Sequence, residues 1–205
     1  MLGLLTGRGR RGAGPRLAGE RVYLTPPRVS DWRAWADLRS RSREFLVPWE
    51  PTWPHDALTR SSFRRRVRAH AAERRHGSGF AFLIRRRADH ALLGAITIGD
   101  VQRSVAQSCS LGYWIGQAYA RQGYMTEALR LALRFAFDTL TLHRAAAACL
   151  PNNGASQALL RKLGFQQEGY AREYLRIDGR WQDHVLFGLL ATEFERPALG
   201  NRAAE

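Results

Sequence analysis

The chain has 205 residues, 45% of them hydrophobic, which suits one domain with a buried core. Its formal net charge of +14 sets 32 Lys+Arg against 18 Asp+Glu, and Lys162 is the single lysine. So basic a surface favours polyanions such as RNA, phosphate-bearing cofactors or acidic proteins, while an arginine-biased genome would give the same count; both readings stand. Cys109 and Cys149 sit in apolar runs with no CxxC pattern, which excludes a disulfide framework or zinc site and predicts a reduced, cytoplasmic protein without a metal. No apolar run approaches the roughly 20 residues that cross a bilayer, so no membrane partner is expected.

Residues 1–19 are rich in Gly and Arg, with Arg8, Arg10 and Arg11 grouped after a short apolar piece. That order is the reverse of a secretory signal and reads as a flexible basic arm. The domain is expected over 20–193, and 194–205 reads as a loose tail. RVYLTPP (21–27) alternates and stops at two prolines, which predicts a strand. The next stretch carries Trp32, Trp35 and Leu38 at helical spacing, with Ser30 or Asp31 to cap it, and the prolines of VPWEPTWP (47–54) end it. A second helix is predicted over 56–77, strongly basic through Arg64, Arg65, Arg66, Arg68, Arg74 and Arg75 and closed by Gly77. Three strands follow at 79–87, 91–101 and 108–116, in the pattern of an antiparallel meander. A helix is predicted from about Thr126 to Leu140. HRAAAACL (143–150) reads as a strand despite its alanines, because it is short and runs into PNN. GASQALLRKLGF (154–165) is a helix with Gly164 just past its end. Residues 166–190 form a hairpin turning at Asp178-Gly179. The order β-α-α-β-β-β-α-β-α-β-β predicts an α/β mixed sheet flanked by helices, with the central helix joining two parallel strands.

The segment ARQGYM (120–125) precedes that central helix. The first N–H groups of a helix have no internal acceptor and carry partial positive charge, so a phosphate is a natural occupant. Gly123 allows close backbone approach and Arg121 adds a cation. A plain strand-to-helix turn is the competing reading. Neither GxxxxGK[ST] nor GxGxxG occurs, so nucleoside triphosphates and Rossmann-type dinucleotides are poorly supported.

Taken together, SLGYWIG, ARQGYM, TEALRLALRFAF, PNNGAS and the segment from LLRKLGF to VLFGLL resemble the GNAT acetyltransferases. Within them they resemble the RimJ/RimL group, which acetylates N-terminal amines of ribosomal proteins. REFLVPWEP and GYAREYLRIDGRWQDHV are most similar to the RimJ type. The resemblance spans roughly residues 20–193 and implies a central, mostly antiparallel twisted sheet flanked by helices. It implies acetyl-CoA as co-substrate, with Trp114, Ile115, Gly116, Arg121, Gln122, Gly123, Tyr124, Met125, Thr126, Asn153 and Ser156 contacting it. The family pattern Q/R-x-x-G-x-G/A aligns on Ala120 to Met125 with Ala first and Met last, and the backbone donors survive both changes. Asn153 would touch the pantetheine arm and Ser156 would protonate the leaving thiolate; the competing reading makes Asn153 a helix cap and Ser156 a first-turn residue. Ser110 stands where many relatives carry a carboxylate, and Leu175 where others carry a Glu. Glu173, two residues before Leu175 and so expected on the same face, is the candidate general base, with Asp183 and His184 as runners-up and a water chain as a further option. Trp49, Glu50, Trp53 and Tyr174 are expected to bind the acceptor, Glu50 by holding its ammonium; Phe45 reads as core. The acceptor implied is a protein or peptide N-terminus, most simply a ribosomal protein starting with Ala. A small amine is the alternative. A ribosome- or RNA-binding assembly factor with secondary catalysis is a third reading.

Overall fold

Alternation of buried and half-buried residues along most strands lets both faces of one sheet carry helices. A computed structural model describes residues 14–194. Its strands are β1 (Leu17–Ala18), β2 (Val22–Thr25), β3 (Phe80–Arg86), β4 (Leu92–Gln102), β5 (Ser108–Ile115), β6 (Arg144–Cys149), β7 (Gln166–Ile177) and β8 (Arg180–Leu190). They form one sheet in the order β1-β2-β3-β4-β5-β6-β8-β7, antiparallel except for β5 and β6. The helices are α1 (Trp32–Arg41), α2 (Arg43–Leu46), α3 (Arg60–His76), α4 (Tyr124–Arg134) and α5 (Gly154–Lys162).

The expected order of elements holds with shifted ends and two additions: the short β1, and α2, which splits from the expected first helix at Ser42. α3 starts at Arg60, where the Thr59 hydroxyl accepts from Ser62 N, and Gly77 closes it at φ 70°. α4 starts two residues before Thr126, and a π-helical turn at Phe135–Thr139 carries it on. Asp31 occupies the cap position of α1 without capping it, because its carboxylate accepts from Arg28 N and Arg85 Nη2, both at 2.7 Å. The arm read at 1–19 is described from Gly14 onward, and there Leu17 and Ala18 pair with Leu24 and Tyr23, so the sheet begins before residue 20. Arg8, Arg10 and Arg11 and the tail after Phe194 lie outside the described residues.

The main core lies between one sheet face and α4 and α5. It gathers Phe82, Ile96, Ile98, Leu129, Leu133 and Leu160. Ala145 and Ala147 of β6 are buried there too, and that burial overrides the helical preference of alanine. A smaller core of Trp35, Leu38, Phe63, Leu83 and Leu92 holds α1 and α3 on the opposite face. Gly116 belongs to this packing: a Cβ there would overlap Leu38 Cδ1.

Candidate active site

β5 and β6 pair only at Ser108–Arg144, Cys109–Ala145 and Ser110–Ala146. Beyond Ser110 they part, and the backbone of residues 111–115 on that edge has no strand to pair with. A cleft of about 1530 Å³ occupies the opening at the C-terminal ends of the two parallel strands, where open α/β sheets take their ligands. It reaches both sheet faces, touching Leu111 to Ile115, Ala148 to Leu150, the start of α4, the first turn of α5 and the 45–54 segment.

At the α4 end, Gly123 is the cap residue at φ 81° and offers no side-chain cap, and Arg121 is also left-handed at φ 60°. Among the described residues, no acceptor takes the backbone N–H groups of residues 121–126. The cleft reaches Arg121, Gly123, Tyr124, Met125 and Thr126. Six free donors at the positive end of an 11-residue helix form an anion cradle, with Arg121 exposed beside it. Gln122 turns away, its amide donating to Ala118 O at 2.8 Å. Arg21 braces the loop from β2's approach: Nη2 donates to Gln122 O at 2.8 Å and its guanidinium lies 4.5 Å from the Tyr124 ring centroid. Glu127 in the first turn accepts from Arg21 N at 2.8 Å and Val22 N at 3.2 Å. Sequence reasoning missed Arg21, which lies about a hundred residues from the loop.

Halfway along the cleft, Asn153 caps α5 by accepting from Ser156 N at 3.0 Å. Its amide nitrogen is left free to face the cleft, so capping and ligand contact are compatible. Ser156 Oγ lies 2.6 Å from the Tyr113 hydroxyl. Burial pushes the Tyr113 phenol up to about 12, so it stays protonated at neutral pH. Sequence reasoning missed Tyr113; its signal was the position opposite the opening in the LGYWI strand. Burial raises the nearby Cys149 thiol as well, with Ser156 opposing part of that shift. The Ser110 hydroxyl donates to Asp100 Oδ2 at 2.7 Å, outside the cleft, so a carboxylate does reach this position, from β4.

The remaining expectations divide. Trp114 and Ile115 line the cleft, as do Trp49, Glu50 and Trp53; Gly116 does not. Phe45, read as core, lines the cleft instead and is half-buried. Glu50 is spent internally: its carboxylate accepts from Arg39 and from Trp53 Nε1 at 2.8 Å. The Arg39 guanidinium sits 4.3 Å from Trp53, 4.9 Å from Trp114 and 5.4 Å from Trp35. Glu50 therefore fixes an arginine in an aromatic box and is not free to hold an ammonium. Glu173 does not share a face with Leu175, because a bulge between Ala171 and Leu175 inserts extra residues and breaks the alternation. At φ 46°, Glu173 borders a separate depression of about 360 Å³ with Asp183 and Trp181. Asp183 is itself engaged, accepting from the Tyr170 hydroxyl at 2.6 Å and Glu173 N at 2.8 Å; the Tyr170 bond lowers its pKa. Tyr174 is about half exposed, packs edge-on against His184 and stays off the cleft. His184 is 3% exposed and lines the cleft. Among the described residues, no group of His, Cys, Asp and Glu could hold a metal ion, and no helix is long and apolar enough to cross a membrane.

A splayed parallel pair, an anion cradle on the following helix and a hydroxyl pair between them define an acyl-CoA transferase site on this sheet. The chain belongs to the GNAT acetyltransferase family, whose domain model matches residues 21–166. It is 38% identical over 181 residues to the [ribosomal protein uS5]-alanine N-acetyltransferase of Escherichia coli, covering 85% of this chain and 93% of that one. Among solved structures it is similar to Mycobacterium smegmatis RimJ in complex with CoA-disulfide, with TM-score 0.81 and 34% identity over 90% of this chain and 89% of that one. The ribosomal-protein-S5-alanine acetyltransferase of Vibrio fischeri superposes with TM-score 0.81 at 27% identity, over 89% of this chain and all of that one.

Proposed function

We propose that this chain is a cytoplasmic enzyme that transfers acetyl from acetyl-CoA to the N-terminal α-amine of a ribosomal protein beginning with Ala. The observation that carries the reading is the single cleft, with a phosphate cradle at one end, the Tyr113–Ser156 pair at the middle and an open sheet face beyond. The uS5-alanine acetyltransferase relative supplies the acceptor class.

The N–H groups of residues 121–126 hold the pyrophosphate, with Arg121 adding charge. The pantetheine lies as an extra strand in the opening, its amides meeting the unpaired β5 edge and the Asn153 amide. That places the thioester between β5 and β6, beside Ser156. The amine attacks the carbonyl carbon, the C–S bond breaks, and the sulfur takes a proton from Ser156, which Tyr113 resupplies. No covalent enzyme intermediate is needed. An N-terminal amine, with pKa about 7.7–8.0, is partly free near neutral pH, whereas lysine at about 10.4 is not, so the site favours α-amines.

The acceptor groove runs over Ala81, Ala95, Thr97 and Gly112, whose small side chains leave room above the sheet. Trp49, Trp53 and the caged Arg39 wall one side and Leu175 and Ile177 the other. An RNA or ribosome contact falls to α3, where Arg60, Arg64, Arg68 and Arg75 are exposed and make no ion pair among the described residues. Intact-mass analysis of ribosomal proteins incubated with enzyme and acetyl-CoA tests the reading. One protein gaining one acetyl group at its N-terminus is expected; transfer to small amines alone would contradict it.

A further inference from the structure

Resting on the acetyltransferase reading, we infer that His184 takes the proton from the acceptor amine. The sheet register places it. Ser110 pairs with Ala146, so Ala146 and Ala148 share the face of Gly112 and Trp114. Ala148 pairs with Leu186, so Leu186 and, two residues earlier on β8, His184 share that face as well. Tyr113 points the other way and packs with the main core, where its hydroxyl meets Ser156. A thioester lying in the opening between β5 and β6 therefore has a proton donor on the helix face and an imidazole on the acceptor face.

The local hydrogen bond selects the tautomer. His184 Nδ1 lies 2.9 Å from Gln182 O, and a carbonyl oxygen only accepts, so Nδ1 carries the hydrogen and, in the neutral ring, Nε2 carries the lone pair. Among the described residues, Nε2 has no partner, and no fully buried side-chain nitrogen or oxygen lacks one. Nε2 is thus open to the cleft, although the residue as a whole is 3% exposed. The Tyr174 ring, 5.7 Å away and edge-on, covers the imidazole and holds its plane. The carboxylates nearby are otherwise engaged or face elsewhere: Asp183 binds Tyr170 and Glu173 N, Glu50 binds Arg39, and Glu173 faces the second depression. The titratable groups around His184 are Asp183 beside it, Arg172, Glu173 and Tyr174 in the bulge of β7, and Arg176 on the cleft wall. From β6 the register brings Ala148, Cys149 and Leu150 alongside, of which Cys149 titrates.

In the balanced step, the amine nitrogen bonds the acetyl carbon, the C–S bond breaks, and one N–H proton passes to Nε2. The sulfur takes a proton from the Ser156–Tyr113 pair, and solvent returns the His184 proton to that pair. The products are the acetylamide and CoA thiol.

His184→Asn tests this, because its amide still donates toward Gln182 O while the base is gone. We expect an unchanged melting profile and acetyl-CoA affinity within about twofold, with kcat/KM for an Ala-initiated peptide lowered about 10²–10⁴-fold at pH 7. The deficit should shrink above the amine's pKa of about 8, where the free amine no longer needs a base. Activity within about threefold of wild type, or a deficit equal at every pH, would overturn the inference. If the variant does not fold, nitrogen-15 NMR of the wild-type histidines decides: Nδ1 protonated with Nε2 bare is expected, and the opposite tautomer refutes. A wild-type chain that acetylates no amine would instead refute the acetyltransferase reading.

Discussion

Replacing Gly123 by aspartate and, separately, by asparagine isolates the charge at the anion cradle. The backbone there has φ 81° and ψ −5°, a region that Asn and Asp enter more readily than other side chains. A Cβ at this position would lie 3.2 Å from Arg21 Nη2, the mobile end of a long side chain, so both variants fit at the same small cost. They differ only in charge. A carboxylate about 5 Å from a phosphate repels it by about 0.8 kcal/mol in water and about 3 kcal/mol at an effective dielectric near 20. The loop is exposed and Arg21 offsets part of the new charge, so the lower half of that range applies. Acetyl-CoA should bind Gly123→Asp about 5- to 30-fold more weakly than Gly123→Asn, a difference of about 1–2 kcal/mol. Calorimetry on both variants reads this directly. The gap should narrow at about 1 M salt, where screening reaches about 3 Å, and vanish for S-acetylpantetheine, which has no pyrophosphate. Equal acetyl-CoA affinity for two folded variants would refute the cradle.

Ser156→Ala and Tyr113→Phe should each lower kcat with little change in acetyl-CoA affinity, and the double variant should be far from additive, because the two hydroxyls act as one donor; additive losses in a double-mutant cycle would separate their roles. Glu50→Ala leaves the Arg39 guanidinium uncompensated in its tryptophan box and should cost about 3 kcal/mol, lowering Tm by about 6–12 °C in calorimetry; an unchanged Tm would mean that solvent already balances the charge. Burial holds the Cys109 thiol at about 12 and Tyr113 at about 12, above their ordinary 9.0 and 10.0. Both raised values favour the protonated fold, so that stability is full below about pH 9 and is lost as pH rises through 9–12. Urea midpoints against pH should show that decline, and Cys109→Ala should flatten its first part.

The order of elements was legible because each was marked by its own period or punctuation, such as the Gly77 and Gly164 helix ends and the Asp178-Gly179 turn. The helix start and the glycine on which the proposed phosphate site rests were legible for the same reason, both being local features. The sequence hides what depends on register and long-range pairing. Two residues of strand spacing would have put Glu173 beside Leu175, but Asp183 draws the β7 backbone into a bulge, and no local pattern announces that. Glu50 looked free because Arg39, eleven residues away, lies on α1 while Glu50 lies in the loop that follows α2. The contact of Tyr113 with Ser156 depends on the parting of β5 and β6, which lets α5 approach it.

Transfer from acetyl-CoA to a protein α-amine through this cleft is read out by mass spectrometry of two peptides incubated with the enzyme and acetyl-CoA. One carries a free N-terminal alanine and an internal lysine; the other is the same peptide with its N-terminus blocked. A single acetyl group on the alanine nitrogen of the first peptide, with the blocked peptide unmodified, is the result expected. Acetylation of the blocked peptide's lysine at an equal or faster rate would overturn the α-amine assignment.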